Sequence, residues 1–270
     1  MNILHNLAKL ILTTSILLIS SLIVYGSDDN NDADEKIDNL PFCTYRTDEE
    51  VYEVYMEDIL YAVKGRDSLY LTRYFYNPEL NNPNITGKKQ PVIMFLFGGG
   101  FMEGNRNFKP YLKYFVYYVK QGYQVITIDY RQGLRNWYAN YFKEVISGKK
   151  VEVKEQEIQS VLLNAVDLAV ADCITATNFV ISQSDKWHTD NNRIILSGSS
   201  SGAITALQTE YYHSNKYFNG DTKVKERLPK NFGYAGIISF AGAVFTHKGE
   251  PVFGNNVTPV LLFHGDADPS

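Results

Sequence analysis

Short, unbroken runs of apolar residues alternate with longer amphipathic stretches along most of the chain. The apolar runs lie at residues 92–97, 125–128, 194–196, 235–240 and 260–263. Runs of this kind are typical of parallel strands, because helices cover both faces of a parallel sheet and leave no side for polar residues. The stretches at 111–119, 156–181 and 203–207 have a helical pattern. We therefore expect a parallel sheet with helices on both faces.

A different pattern comes before these runs. Residues 59–63 and 69–74 alternate apolar and polar positions on either side of a turn signal at Gly65, Arg66 and Asp67. Alternation with a period of two residues around a glycine-containing turn predicts an antiparallel hairpin. The expected sheet therefore begins with antiparallel strands and is otherwise largely parallel.

The first residues have the pattern of a secretory signal, with a basic start at Lys9, an apolar middle and small residues from Gly26. An uncleaved membrane anchor is the alternative, but the apolar stretch is shorter than the roughly 20 residues that a spanning helix needs. We expect a signal peptide over 1–26, an acidic disordered tether over 27–46 and one domain over 47–270. The mature chain is then secreted or periplasmic, with no stable membrane span.

Composition narrows the classes of partner. The formal net charge is −4, and no concentrated basic cluster is present, which disfavours nucleic-acid binding. The histidines are too scattered for a zinc site, and we expect neither a metal nor an organic cofactor. The two cysteines, Cys43 and Cys173, could form a disulfide in an oxidising compartment or remain separate buried thiols. The sequence leaves both alternatives open.

The most specific motif is a GxSxG element between a predicted strand and a predicted helix. Gly198 and Gly202 flank Ser200 at two residues on either side, directly after the apolar run at 194–196. A strand, a tight turn and a helix around this motif form a nucleophile elbow, in which the central serine is held in a strained conformation. Ser200 is therefore the candidate nucleophile.

A second glycine-rich segment follows a neighbouring strand. Gly98, Gly99 and Gly100 come directly after the apolar run at 92–97. A loop of this kind exposes backbone N–H groups that can bind the oxyanion formed during acyl transfer. A close-packing turn or a phosphate cradle is the alternative, but the spacing of a dinucleotide fingerprint or a P-loop is absent. We favour an oxyanion loop.

Together these motifs resemble the α/β-hydrolase superfamily, and specifically its carboxylesterases and hormone-sensitive-lipase-like esterases. The resemblance covers four blocks in matching order, at 91–104, 122–131, 190–203 and 259–268. It implies that Ser200 is the nucleophile and that Gly99, Gly100 and Ser201 supply the oxyanion-binding N–H groups. The element His-Gly-Asp-Ala-Asp at 264–268 corresponds to the family's HGxxD, whose last residue, Asp268, is the implied triad acid.

The chain departs from the family pattern in two ways. Many members have a histidine where this chain has Phe97, although one branch accepts an aromatic residue there. The family's triad order is Ser, Asp, then His on a loop after the last strand, but no histidine follows Asp268. We expect an α/β-hydrolase fold that lacks the last strand, the last helix and the catalytic-histidine loop. Asp266 is a second candidate acid, with a turn residue as its alternative role.

The histidines that are present are poor substitutes for the missing base. His213 lies about 20 Å from Ser200 along one helix. His188 comes before its strand, at the wrong end of the sheet, and the resemblance makes His264 a packing residue. His247 is the one credible stand-in, with a solvated loop histidine as the alternative. We expect a truncated chain that is nearly inactive as given.

The predicted function is hydrolysis of a carboxylic ester by a secreted serine esterase, with a small-molecule or carbohydrate-linked ester as substrate. A serine peptidase of the same fold and a non-catalytic binding protein are the alternatives. Trp137, Tyr138 and Tyr141 lie in an extra segment at 133–150 that we expect over the mouth of the site. These aromatic residues either line a substrate pocket or pack the segment onto the domain.

Overall fold

A central mixed sheet organises the molecule. The computed structural model describes residues 43–46, 51–76, 88–149, 151, 153–215, 224–245 and 258–265. Within them, eight strands lie in the order β1-β2-β3-β5-β4-β6-β7-β8. The strands are β1 (Cys43–Arg46), β2 (Val51–Lys64), β3 (Asp67–Tyr76), β4 (Gln90–Leu96), β5 (Gln124–Ile128), β6 (Thr189–Ser199), β7 (Gly236–Phe240) and β8 (Val260–Phe263).

Five α-helices and one short 3-10 turn connect these strands in the described part of the chain. The helices are α1 (Leu112–Lys120), α2 (Arg135–Ile146), α3 (Glu155–Ser182), α4 (Ser184–Trp187) and α5 (Ser201–Asn215), and the 3-10 turn is Lys109–Tyr111. Each helical stretch that the sequence predicts is found, and α3 begins and ends within one residue of the predicted bounds.

The sheet changes from antiparallel to parallel at β5. β1, β2, β3 and β5 pair antiparallel, and β5, β4, β6, β7 and β8 pair parallel. The predicted hairpin is confirmed as β2 and β3, with a bulge between Leu60 and Ala62. The predicted mixed sheet with a largely parallel remainder is therefore correct.

Helices cover both faces of the sheet, as the apolar runs predict. Phe95 and Met94 are adjacent in β4, so their side chains point to opposite faces. The Phe95 ring packs on Phe115 of α1, with 5.1 Å between the ring centroids. On the other face, Thr177 of α3 lies with its Oγ1 3.6 Å from the Met94 sulfur. β4 is therefore buried between α1 and α3, at the centre of the hydrophobic core.

β8 differs from this pattern, because its side chains are half exposed although the run at 260–263 predicts burial on both faces. The exposed fractions of Leu261, Leu262 and Phe263 are 52, 59 and 47%. β8 pairs only with β7 among the described strands. In the described structure, the apolar side chains of β8 therefore remain partly exposed, because only β7 lies beside this strand.

The predicted disordered tether at 27–46 overlaps the first strand of the sheet. Its last four residues form β1 (Cys43–Arg46), which pairs with β2, so the prediction of disorder is wrong for these four residues. The rest of that stretch and the predicted signal peptide lie outside the described residues.

α3 is long and apolar enough to cross a membrane, but 61% of its most apolar window is buried within the domain. It is the core helix of the fold.

An ion pair joins the end of β5 to α3. Asp172 is fully buried, and its Oδ1 accepts a hydrogen bond from Arg131 Nη2 at 2.8 Å. Its Oδ2 accepts bonds from Arg131 Nε at 2.9 Å and from the Arg131 backbone N–H at 2.8 Å. Burial raises the pKa of the Asp172 carboxyl above its ordinary value, and the bonds from Arg131 oppose this shift. Arg131 is therefore the partner that makes a buried carboxylate tolerable.

Removal of Arg131 is expected to destabilise the domain strongly. Arg131→Met leaves a buried carboxylate without its cation, and the free energy of unfolding should fall by about 3 to 5 kcal/mol. Lys89→Met is the matched control, because it removes one cation from the solvent-exposed pair with Asp185. Urea unfolding should show a large shift of the midpoint for the first variant and no measurable shift for the second. Equal midpoints would contradict the role of Arg131.

Cys173 is an unpaired, buried thiol in α3. A disulfide between Cys43 and Cys173 is therefore not formed, and of the two alternatives the unpaired thiol is correct for Cys173. Burial raises the pKa of the Cys173 thiol to about 12. Since the thiolate is the reactive form, Cys173 is protected both by its protonation and by the core around it.

This burial predicts the reactivity of Cys173. In a Cys43→Ser variant without reductant, a thiol-specific reagent at pH 8 should leave the folded protein unmodified. The same reagent should modify the remaining thiol after unfolding in urea, because the pKa then returns to its ordinary value. Rapid modification of the folded variant would contradict the buried position. A wild-type protein with no reactive thiol in urea would contradict the absence of the disulfide.

Candidate active site

Ser200 lies on a sharp turn between β6 and α5. Its φ is +50°, a backbone conformation that is strained for a residue with a side chain. The Ser200 N–H donates to the carbonyl of Phe240 at 2.8 Å, and the Ser200 carbonyl accepts from the N–H of Ile204 at 2.9 Å. The strand, turn and helix predicted around this motif are therefore present. The turn is fixed by β7 on one side and by the first turn of α5 on the other.

The flanking glycines are required because backbones approach too closely for any side chain. A Cβ on Gly202 would overlap the backbone of Leu96 and Phe97 at the end of β4, far inside van der Waals contact. A Cβ on Gly198 would in turn overlap the backbone of Gly202. α5 therefore begins in direct backbone contact with the neighbouring strand, and this contact places Ser200 at the carboxyl end of the sheet.

The glycine loop lies against this turn. Gly99 and Gly100 have φ values of +143° and +62°, which favour glycine. The Gly99 carbonyl accepts hydrogen bonds from the N–H groups of Met102 at 3.0 Å and Glu103 at 3.1 Å, which closes the loop. A Cβ on Gly98 would lie only 3.2 Å from the Cβ of Ser200. The structure thus brings together the two glycine-containing motifs that the sequence singles out.

Three backbone N–H groups in the glycine loop and at the start of α5 have no hydrogen-bond acceptor among the described residues. They are the N–H groups of Gly99, Gly100 and Ser201. Ser201 is the first residue of α5, and the first N–H groups of a helix have no partner within that helix. The positive end of the helix dipole also favours a negative charge at this position. The arrangement suits a developing oxyanion.

Tyr130 is a residue at the site to which the sequence assigns no role. It is the second residue after β5 and is 3% exposed. Its hydroxyl donates to the Phe97 carbonyl at 2.6 Å and lies 3.2 Å from Ser201 Oγ. Its ring stacks on the Phe97 ring with 4.6 Å between centroids, and Phe97 is itself buried in the core. Burial raises the pKa of the Tyr130 hydroxyl above its ordinary value.

The described histidines make no hydrogen bond to Ser200. His188 has a φ of +53° at the start of β6, at the opposite end of the sheet from Ser200. His213 Nε2 bonds the Phe232 carbonyl at 2.8 Å, and the exposed His264 bonds the Gly242 carbonyl through Nε2 at 2.9 Å. The positions of His247 and of the predicted acid Asp268 lie outside the described residues, so the predicted triad stays a prediction.

The predicted extra segment at 133–150 contains α2, which packs onto the domain. The rings of Trp137 and Tyr141 stack at 5.7 Å, and Trp137 Nε1 donates to Glu157 of α3 at 3.3 Å. Tyr138 packs against the hydrophobic core. These contacts favour the packing role over a pocket lining. In the same described ranges, no group of three or more His, Cys, Asp or Glu residues could hold a metal ion.

Comparison with known proteins shows two kinds of similarity. The protein family described as BD-FAE, an α/β-hydrolase-type esterase domain, matches residues 160–249, which include Ser200. Among solved structures, esterase 2 of Thermogutta terrifontis phosphoramylated by tabun is 21% identical, with a TM-score of 0.53 over 80% of this chain and 73% of that one. No curated protein sequence matches the chain.

Other similar structures are also esterases. The propionate-bound form of the Thermogutta terrifontis esterase is 22% identical, with a TM-score of 0.46 over 69% of this chain and 54% of that one. An inhibited esterase B from Lactobacillus rhamnosis is 18% identical, with a TM-score of 0.46 over 70% of this chain and 49% of that one. The chain spans little more than half the length of the propionate-bound form, 54%, and of the same esterase phosphorylated by paraoxon, 57%.

The mixed sheet, the helices on both faces and the TM-score of 0.53 define the class of the protein. The chain has an α/β-hydrolase fold. Within that fold, the proteins that it resembles are esterases.

The close approach of α5 to β4 gives a direct test of the turn. Gly202→Ala should destabilise the domain by more than the roughly 1 to 3 kcal/mol of ordinary overpacking, because the added methyl group meets backbone atoms that cannot rotate away. Gly233→Ala is the matched control, since its Cβ would meet nothing within 4 Å. The measurement is the urea midpoint of each variant. Equal midpoints would show that the turn is looser than described.

Proposed function

We propose that this chain is the catalytic domain of a secreted serine esterase that hydrolyses carboxylic esters. The observation that carries the proposal is the position of Ser200 on a strained turn beside the glycine loop. The N–H groups of Gly99, Gly100 and Ser201 have no acceptor among the described residues, and the loop approaches Ser200 at Gly98. A nucleophile and unpaired donors at the end of a sheet are two of the parts that acyl transfer through serine requires, and a general base is the third.

The chemistry follows the serine-hydrolase pattern. Ser200 Oγ attacks the ester carbonyl carbon and transfers its proton to a histidine, which Asp268 orients. The carbonyl oxygen becomes an oxyanion and accepts hydrogen bonds from the N–H groups of Gly99, Gly100 and Ser201. The histidine then protonates the leaving alcohol, and an acyl group remains on Ser200. Water, deprotonated by the same histidine, attacks this acyl group; the bond to Ser200 Oγ breaks, the histidine returns its proton to Oγ, and the carboxylic acid is released.

The comparisons support esterase chemistry within this fold. The BD-FAE similarity covers the turn at Ser200, and the Thermogutta terrifontis esterase is phosphoramylated by tabun. An organophosphorus reagent is therefore a suitable probe for this chain. A secreted or periplasmic location, a small-molecule or carbohydrate-linked ester and the absence of a cofactor are further parts of the proposal.

Ser200→Ala tests the nucleophile. In the chain extended beyond Ser270 to include the proposed histidine, the turnover of short p-nitrophenyl esters should fall by at least about 1000-fold, because loss of the nucleophile removes the acyl-enzyme route. Ser147→Ala is the control, since this exposed hydroxyl only bonds the Glu144 carbonyl in α2's last turn. An organophosphorus ester should add to the Ser200 peptide of the wild type, as mass spectrometry can show. Equal turnover in the wild type and the Ser200 variant would refute the assignment.

The general base is proposed as a histidine encoded after Ser270, as the resemblance implies. The coding sequence beyond Ser270 should continue with a strand, a helix and a histidine. The chain with this extension should hydrolyse esters several orders of magnitude faster than residues 1–270 alone. If residues 1–270 are fully active and His247→Ala abolishes their activity, His247 is the base instead. If the extended chain neither hydrolyses esters nor reacts with the organophosphorus ester, the proposed function is wrong.

A further inference from the structure

Tyr130 is the point where the glycine loop, the nucleophile turn and the sheet meet. The Phe97 carbonyl that accepts its hydroxyl directly precedes Gly98, Gly99 and Gly100. The Ser201 Oγ near the same hydroxyl belongs to the residue whose N–H is the third proposed oxyanion donor. One buried hydroxyl therefore contacts both sources of oxyanion donors.

The direction of these bonds follows from the number of protons. A tyrosine hydroxyl has one proton to donate, and the Phe97 carbonyl can only accept. The Tyr130 proton therefore goes to the Phe97 carbonyl, at 2.6 Å, and the Ser201 hydroxyl donates to the Tyr130 oxygen, at 3.2 Å. Two consecutive hydrogen bonds therefore run from Ser201 of α5 through Tyr130 to the glycine loop. Because these hydroxyl groups are buried, water does not compete for them.

The backbone of Tyr130 is itself held firmly by its two neighbours. Asp129 Oδ2 accepts a bond from Arg106 Nη1 at 2.7 Å, and Arg106 follows the glycine loop in sequence. Arg131 on the other side makes the buried pair with Asp172 of α3. The three consecutive residues 129–131 thus each bind a different part of the structure. A rigid backbone lets the Tyr130 hydroxyl fix the distance between the loop and α5.

We infer that Tyr130 is a positioning residue for the oxyanion site. Its hydroxyl locks the Gly98–Gly100 loop to the first residue of α5, so that the N–H groups of Gly99, Gly100 and Ser201 keep one fixed arrangement. The catalytic effect of Tyr130 rests on the proposed function, whereas the hydrogen bonds that lock the loop to α5 belong to the fold. Loss of the hydroxyl should let the three N–H donors move relative to one another, although all three remain present. Small displacements of such donors lower the catalytic rate by large factors.

The test compares Tyr130→Phe with Tyr234→Phe, using the extended chain if residues 1–270 are inactive. Both variants lose one buried hydroxyl, and Tyr234 bonds Thr177 at 2.9 Å, away from the loop. Tyr130→Phe should lower kcat by about 10- to 100-fold with little change in KM, as expected for misplaced oxyanion donors. Tyr234→Phe should keep the wild-type kcat while losing a similar amount of stability. If the two variants have equal kcat values, Tyr130 is merely structural.

A double-mutant cycle that combines Tyr130→Phe with Ser201→Ala tests whether the two consecutive hydrogen bonds act together. This change removes the Ser201 hydroxyl but keeps its N–H. If the two hydroxyls act as one unit, Tyr130→Phe should add little to the loss that Ser201→Ala already causes. Fully additive losses would show that the contact between the two hydroxyls is not part of the lock.

Hydrogen exchange tests the lock independently of catalysis. In Tyr130→Phe, the amides of residues 97–104 and 199–204 should exchange faster, whereas Tyr234→Phe should leave these segments unchanged. Unchanged exchange in Tyr130→Phe would overturn the inference even if the enzyme is active. If exchange rises but Ser200→Ala does not affect turnover, the proposed function fails while the lock stands.

Discussion

The backbone contact between the start of α5 and the end of β4 is the constraint on which the rest of the site depends. Gly202 has no room for a Cβ beside Leu96, so helix and strand touch through their main chains. This approach forces the intervening turn to be tight, and Ser200 adopts a positive φ as a result. A looser turn would leave the serine at a variable distance from the glycine loop.

The second requirement is that the loop and the turn move as one body. The strained conformation of Ser200 is stable only if its surroundings restrain it, because this conformation costs free energy on its own. The restraint comes from the three residues after β5, through Arg106, Phe97 and Asp172. Preorganisation of this kind lets N–H groups stabilise a developing charge without rearrangement during the reaction. The fold and the proposed chemistry therefore rest on the same contacts.

Much of this arrangement could be predicted from local sequence pattern. The apolar run that begins at Val125 and the glycines around Ser200 carry their own signals, because period and turn chemistry are local properties. The hydrogen bonds of Tyr130 carried no such signal. A tyrosine after a buried strand looks the same whether its hydroxyl meets a carbonyl or water, and its partners are 33 and 71 residues away in sequence. The pairing of Asp172 with Arg131 could not be predicted for the same reason, because the two residues are 41 positions apart in sequence.

The sequence by itself determined most of the strands and helices of the α/β domain, the strained serine turn and the glycine loop, since each depends on neighbouring residues and backbone sterics. It also identified Asp268 as the candidate acid through resemblance. Only the tertiary structure decided that Cys173 is unpaired, that Phe97 is a core residue and that Tyr130 joins the loop to α5. These facts depend on which distant segments pack together, and packing is a property of the whole fold.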